Sequence, residues 1–152
     1  MQKPAIPHDA LVLVGDGSRA VFFRNNGSLQ RPELVVERTL LLAENPPTHE
    51  QGTDRPGRRA ESHVGTLRSA REETDWHQLA EERFASEIAD ALYRSAHAGQ
   101  FERLIIVVPP KVLGNLRKAL HKEVLDRIAA EVPKELASYS VNAIRSELAS
   151  WG

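Results

Sequence analysis

Leu104-Ile105-Ile106-Val107-Val108-Pro109-Pro110 decides the fold. Five aliphatic residues in an unbroken row suit a strand covered on both faces, as in parallel sheets. The two prolines end that strand and can open a helix, because proline fits the first helical turn. Val112, Leu113, Leu116 and Leu120 then give that helix one apolar face.

Upstream, Ala10-Leu-Val-Leu-Val14 is a second continuous aliphatic run, cut by the turn cluster Gly15-Asp16-Gly17-Ser18. Ala20–Phe23 reads as a strand, and Asn25-Asn26-Gly27 signals a hairpin. Glu33–Leu42 is a third strand, stopped by Asn45-Pro46-Pro47. A helix follows from Trp76, Leu79, Ala80, Phe84, Ile88, Ala91, Leu92 and Ala96, which recur every three or four residues. Asp75 is its expected cap, with Gln78 completing a capping box, and Gly99 its stop. Arg127–Val132 reads as a short strand ended by Pro133. Val141, Ile144, Leu148 and Trp151 mark a last helix, capped by Ser138 or Ser140. The order β-β-β-α-β-α-β-α predicts an α/β, ribonuclease H-like mixed sheet with strand order 3-2-1-4-5, the last two strands joining in parallel through right-handed crossovers.

Composition agrees with one domain. The chain has 152 residues, 41% of them hydrophobic and 27% charged, which excludes wholesale disorder. A formal net charge of -1 gives no global attraction to nucleic acid or anionic membrane, so any nucleic-acid site must be a local patch. Without cysteine there are no disulfides or thiolate metal sites. The Ala10–Val14 run is too short for a signal-peptide core or a membrane span, and the expectation is a cytoplasmic protein without membrane contact. From Asn45 to Asp75, Val64 and Leu67 are the only large apolar residues. This stretch is expected to be a mobile loop of about 45–75 within the single domain 1–152.

Four motifs carry a resemblance. Leu11-Val-Leu-Val-Gly-Asp-Gly-Ser-Arg-Ala-Val-Phe-Phe23 resembles the opening of the bacterial host-attachment protein family. Asp54-Arg-Pro-Gly-Arg58 resembles that family's loop motif, and Glu82-Arg-Phe-Ala85 with Ile88, Ala89 and Leu92 resembles its first helix. Leu104–Arg117, a buried strand running into Pro-Pro and then Leu-Gly-Asn-Leu-Arg, resembles its most distinctive block. The resemblance spans roughly residues 10 to 150. It implies a fold similar to the middle domain of archaeal and eukaryotic translation release factors. It also implies a role in attachment to host cells, a phenotype rather than a chemistry. Release factors carry a Gly-Gly-Gln loop between the third strand and the first long helix. Here Gln51-Gly52 and Pro56-Gly57-Arg58 are the nearest features, so peptidyl-tRNA hydrolysis is not expected.

Candidate sites follow from residue type. Arg55, Arg58 and Arg59 flank a Pro-Gly turn and can make forked contacts to phosphate or carboxylate; a solvated linker is the plainer alternative. Arg117 and Lys118, with Lys111, His121 and Lys122, form a second basic group on the second helix. Asp16 lies just past the first strand and reads as a turn residue. With Glu81, Glu82, Glu87 and Glu147 it could in principle supply a two-metal nuclease, but Pro109-Pro110 stands where such a site needs an acidic ligand. His49, His63 and His77 fit no compact metal-ligand spacing. Gly15-Asp16-Gly17 lacks the third glycine and the following helix of a dinucleotide site, so no cofactor is expected. The expected function is a non-enzymatic binding module that contacts ribosome or RNA. Its alternatives are a domain docking an acidic protein and a metal-dependent hydrolase.

Overall fold

The computed structural model describes residues 4–42 and 66–151. In chain order these form β1 (Leu11–Gly15), β2 (Arg19–Asn25), β3 (Leu34–Leu41), α1 (Thr66–His97), β4 (Leu104–Val108), α2 (Pro110–Ala119), α3 (Lys122–Leu125), β5 (Ile128–Pro133) and α4 (Val141–Ala149). One five-stranded sheet has the order β3-β2-β1-β4-β5. β1 pairs antiparallel with β2 and parallel with β4, matching Leu11 to Leu104 and Val14 to Val107. β5 extends the sheet in parallel beyond β4. This is the strand order expected from the sequence.

The two aliphatic runs form the centre because every one of their residues is buried. Alternation sends Leu11, Leu13, Leu104, Ile106 and Val108 to one face, under α1, α2 and α3. Val12, Val14, Ile105 and Val107 go to the other, under α4 and the segment Ile6–Ala10. Each fully buried aliphatic side chain contributes about 1.5–3 kcal/mol. A strand with only one covered face would forfeit about half of that gain.

β3 is less regular. Phe23 pairs with Val36, but Phe22 pairs with Arg38, so Glu37 is an extra residue in a bulge. The bulge reverses the parity of the strand: Leu34 and Val36 join the α4 side, while Leu40 and Leu42 join the α1 side. Arg24 fixes this position. Its Nε and Nη2 donate to the two carboxylate oxygens of Glu37 at 3.0 and 3.2 Å, and its Nη1 donates to the Asp9 carbonyl at 2.9 Å.

β2 and β3 form an antiparallel hairpin, yet the connection spans residues 26–33 rather than a tight Asn-Gly turn. Asn25 is the reason. Its side chain is wholly buried and acts as a hub. Nδ2 donates to the carbonyls of Ile6, Pro7 and Ser28 at 2.9, 3.1 and 3.2 Å. Oδ1 accepts from the amides of Gly27 and Glu33 at 2.8 and 2.9 Å. These partners satisfy the buried amide and offset its desolvation, and they tie the N-terminal segment to the hairpin loop.

α1 departs from expectation at its start. Asp75 does not cap it; the helix begins at Thr66, so 66–75 are helical rather than part of a loop. The cause is propensity without periodicity. Leu67, Arg68, Ala70, Arg71, Glu72 and Glu73 all favour helix but present no apolar stripe. Further along, Phe84, Ile88, Leu92 and Ala96 are buried as expected, whereas Leu79 is 48% exposed. Gly99 has φ 71°, the left-handed stop expected of it. The second helix, expected to carry His121 and Lys122, instead ends at Ala119; Leu120 is extended, His121 caps the separate short α3, and Lys122 is that helix's first residue. Ser140, not Ser138, caps α4, its Oγ accepting from the Ala143 amide at 3.1 Å.

Shortening Ile106→Ala on the central strand should cost about 2–5 kcal/mol in urea unfolding, the usual range for emptying a buried aliphatic site. Leu79→Ala should change stability by less than about 0.5 kcal/mol, because the side chain is largely outside.

Candidate functional site

In open α/β sheets, ligands gather beyond the carboxyl ends of the parallel strands, where strand order reverses. Here that place lies between β1 and β4. β1 runs into Asp16-Gly17-Ser18, β4 into Pro109-Pro110, and α1 passes above both.

Asp16 organises its own turn. Its Oδ1 accepts from the amides of Ser18 and Arg19, both at 2.8 Å, and from Ser18 Oγ at 3.2 Å. Three donors on one oxygen hold the chain as it reverses from β1 into β2. Arg19 carries the anchoring onward: its Nη1 donates to the Ala137 and Tyr139 carbonyls at 2.7 and 3.3 Å. The Ser18 carbonyl accepts from the Leu42 amide at 2.8 Å, so β3 leaves the sheet beside this turn.

Glu81 reaches the same edge from α1. Gly17 lets it do so: a Cβ on Gly17 would lie 2.6 Å from Glu81 Oε2. The other oxygen, Oε1, pairs with Lys111 Nζ at 3.3 Å on the first turn of α2. The result is a carboxylate–ammonium pair seated against a backbone turn. In the sequence Glu81 stands among solvated or metal-binding carboxylates and Lys111 in a basic group. Nothing in their spacing joins them, because only the sheet brings Gly17, α1 and α2 together. The one available signal was the glycine after Asp16, which leaves room for a neighbour.

The other candidate residues sit elsewhere. Arg117 is on the last turn of α2, about 10 Å along the helix from its start. Its Nη2 donates to Glu131 Oε1 at 2.5 Å, and this bond, with the Glu131 charge, holds the guanidinium pKa above its ordinary value. Lys118 is exposed and forms no ion pair among the described residues. His121 and Lys122 pair with Asp90 and Asp126 at 3.8 and 3.2 Å. The basic group is thus largely neutralised by its neighbours. Arg55, Arg58, Arg59, His49 and His63 lie outside the described residues.

The carboxylates of the nuclease alternative do not converge. Glu82 and Glu87 are exposed on α1. Glu147 lies on α4, across the sheet, with Lys134 Nζ at 3.5 Å and Trp151 Nε1 at 3.1 Å. Among the described residues, no group of three or more histidines and carboxylates is close enough to hold a metal ion. Nor is any helix there long and apolar enough to cross a membrane.

A model of bacterial archaeo-eukaryotic release factor family 12 matches residues 9–148. The chain belongs to that family. The match begins at Asp9, just before β1, and ends at Leu148 in the last turn of α4, so it takes in the whole sheet and its coverings. No curated protein matches the chain. The match shows the release-factor-like part of the expected resemblance; it does not show the host-attachment role.

Gly17→Ala should fold, because its φ is not left-handed and the clashing atom is the mobile end of Glu81. We expect a loss below about 1 kcal/mol, typical of a displaced exposed ion pair, in chemical denaturation. In a double-mutant cycle with Glu81→Ala most of that loss should vanish; an unchanged loss would mean that Glu81 does not rest on Gly17.

Proposed function

We propose that this family 12 chain is a non-enzymatic, cytoplasmic binding module that contacts the ribosome or RNA. The observation that carries the reading is the release-factor family match over the whole sheet. The chemistry of the sheet edge favours recognition over catalysis. Asp16 Oδ1 is engaged by three donors of its own turn, Glu81 is paired with Lys111, and Glu147 is on the opposite face of the sheet. The release-factor glutamine has no counterpart, since the sequence holds no Gly-Gly-Gln.

In this reading Arg55, Arg58 and Arg59 are the principal contacts. They belong to the connection between β3 and α1, which starts beside the Asp16 turn. Lys118 and Arg117 would add contacts from α2, Arg117 only by exchanging Glu131 for phosphate. Any effect on host attachment then follows indirectly, through the molecules this chain binds inside the cell. A domain docking an acidic protein would use the same arginines, and the test below separates it.

The purified chain should co-sediment with ribosomes, and the association should weaken steeply with salt as counterions are released. Changing Arg55, Arg58 and Arg59 together to Gln should leave thermal unfolding nearly unchanged, within about 0.5 kcal/mol. It should weaken binding and reduce the salt slope by about 2, at roughly 0.7 per lost contact to single-stranded RNA. Unfolding at a clearly lower temperature would make the arginines structural. Binding to an acidic protein but not to ribosomes or RNA would favour the docking domain. Metal-dependent cleavage of RNA that disappears in Asp16→Asn would restore the hydrolase alternative.

A further inference from the structure

Asn26-Gly27 is the only Asn-Gly pair in the sequence. In a free chain such a pair is chemically labile. Glycine has no Cβ to hinder its amide nitrogen, which can attack the asparagine side-chain carbonyl from five-membered-ring distance. Asn26 is exposed, so water and base reach it. Yet its backbone surroundings are tightly held. The Asn26 amide donates to the Glu33 carbonyl at 2.8 Å. The Gly27 amide, the required nucleophile, donates to Asn25 Oδ1 at 2.8 Å, and Asn25 is 0% exposed. His8 Nδ1 lies 2.6 Å from the Gly27 carbonyl oxygen. The loop closes so tightly that a Cβ on Gly27 would stand 2.2 Å from the Arg31 carbonyl oxygen.

We propose that Asn26 is a latent deamidation site restrained by Asn25, modified when the Asn25 hub opens. In the step, Gly27 N gives up its proton to base and forms a bond to Asn26 Cγ. The Cγ–Nδ2 bond breaks, and the nitrogen leaves as ammonia after taking a proton. Water then opens the succinimide. Attack at the side-chain carbonyl gives aspartate; attack at the backbone carbonyl gives isoaspartate, with the main chain rerouted through Cγ. No oxidant, metal or enzyme is required. While Gly27 N–H is bonded to Asn25 Oδ1, its proton is shielded from base and the nitrogen is held in one orientation, so reaction waits on local opening.

The consequence is chemical as well as structural. Asn26 lines an open groove of about 610 Å³ between β3 and α4, together with Glu33, Asn142, Arg145 and Ser146. Deamidation replaces a neutral amide on that rim with a carboxylate, in a groove that Arg145 also lines. The isoaspartate product also adds an atom to the backbone between two residues whose amides are both bonded, and so loosens the link from the hairpin loop to Ile6 and Pro7.

The test is peptide mapping by mass spectrometry of the full chain, incubated in mildly alkaline buffer with and without enough denaturant to unfold it. Aspartate plus isoaspartate at position 26 should form at least about tenfold more slowly in the folded chain, because reaction there requires local opening. Equal rates overturn the proposal. Folded Asn25→Ser should deamidate close to the denatured rate, while Asn142→Ser should behave as wild type. A folded Asn25→Ser as slow as wild type overturns it. If Asn25→Ser does not fold, hydrogen exchange at the wild-type Gly27 amide decides: protection of about tenfold or more supports the restraint, and free exchange overturns it.

Discussion

The parallel pairing of β1 with β4 is the contact on which the other elements depend. It joins residues about ninety positions apart, Leu11 with Leu104 and Val14 with Val107. The entropic cost of closing so long a loop grows only logarithmically, whereas the apolar area buried grows with each residue added. Both strands are apolar on both faces, so the pair is stable only if each face is covered. That requirement places α1, α2 and α3 on one side and α4 with the N-terminal segment on the other. The turn after β1 and the helix start after β4 are then brought side by side, and this juxtaposition makes the edge that carries Asp16, Gly17, Glu81 and Lys111.

The second constraint is polar. Asn25 and Arg24 are adjacent on β2, and both are buried or nearly so. Asn25 gathers the N-terminal segment and the hairpin loop; Arg24 gathers Asp9 and the bulge at Glu37. The antiparallel half of the sheet therefore adds side-chain hydrogen bonds at Arg24 and Asn25 to the apolar packing of Val21, Phe22 and Phe23. A bulge with a charged residue also roughens the exposed edge of β3 and discourages pairing with another strand.

The strand order was legible because it depends on patterns that survive in one dimension. Leu11–Val14 and Leu104–Val108 are unbroken aliphatic runs, and a strand buried on both faces has no other appearance. Pro110 as the first residue of α2 follows from backbone chemistry alone, and the same chemistry narrows the cap of α4 to Ser138 or Ser140, of which the structure selects Ser140. The start of α1 was not legible, since periodicity reports packing and the turns from Thr66 to Asp75 present no apolar stripe. The candidate edge was half legible. Asp16 declared itself a turn residue by its glycine neighbours. The Glu81–Lys111 pair depends on two helices and a turn far apart in sequence, a relation that no local spacing encodes. Asn25 looked like a turn former, and its burial became visible only with Ile6, Pro7 and Glu33 around it.

The arrangement of this edge also bears on what a release-factor-like fold retains when the hydrolytic glutamine is missing. Catalysis by a carboxylate needs an oxygen free to take a proton or bind a metal, held where substrate can reach it. At Asp16 one oxygen holds three donors of its own turn, and at Glu81 one oxygen rests on Gly17 while the other meets Lys111. These bonds fix the shape of the strand ends and the point where β3 leaves the sheet. Such an edge fixes where the connection that follows β3 begins, since the Leu42 amide is held by the Ser18 carbonyl. The Asp16 turn, the Glu81–Lys111 pair and the end of β3 are thereby tied to one another at a single edge of the sheet.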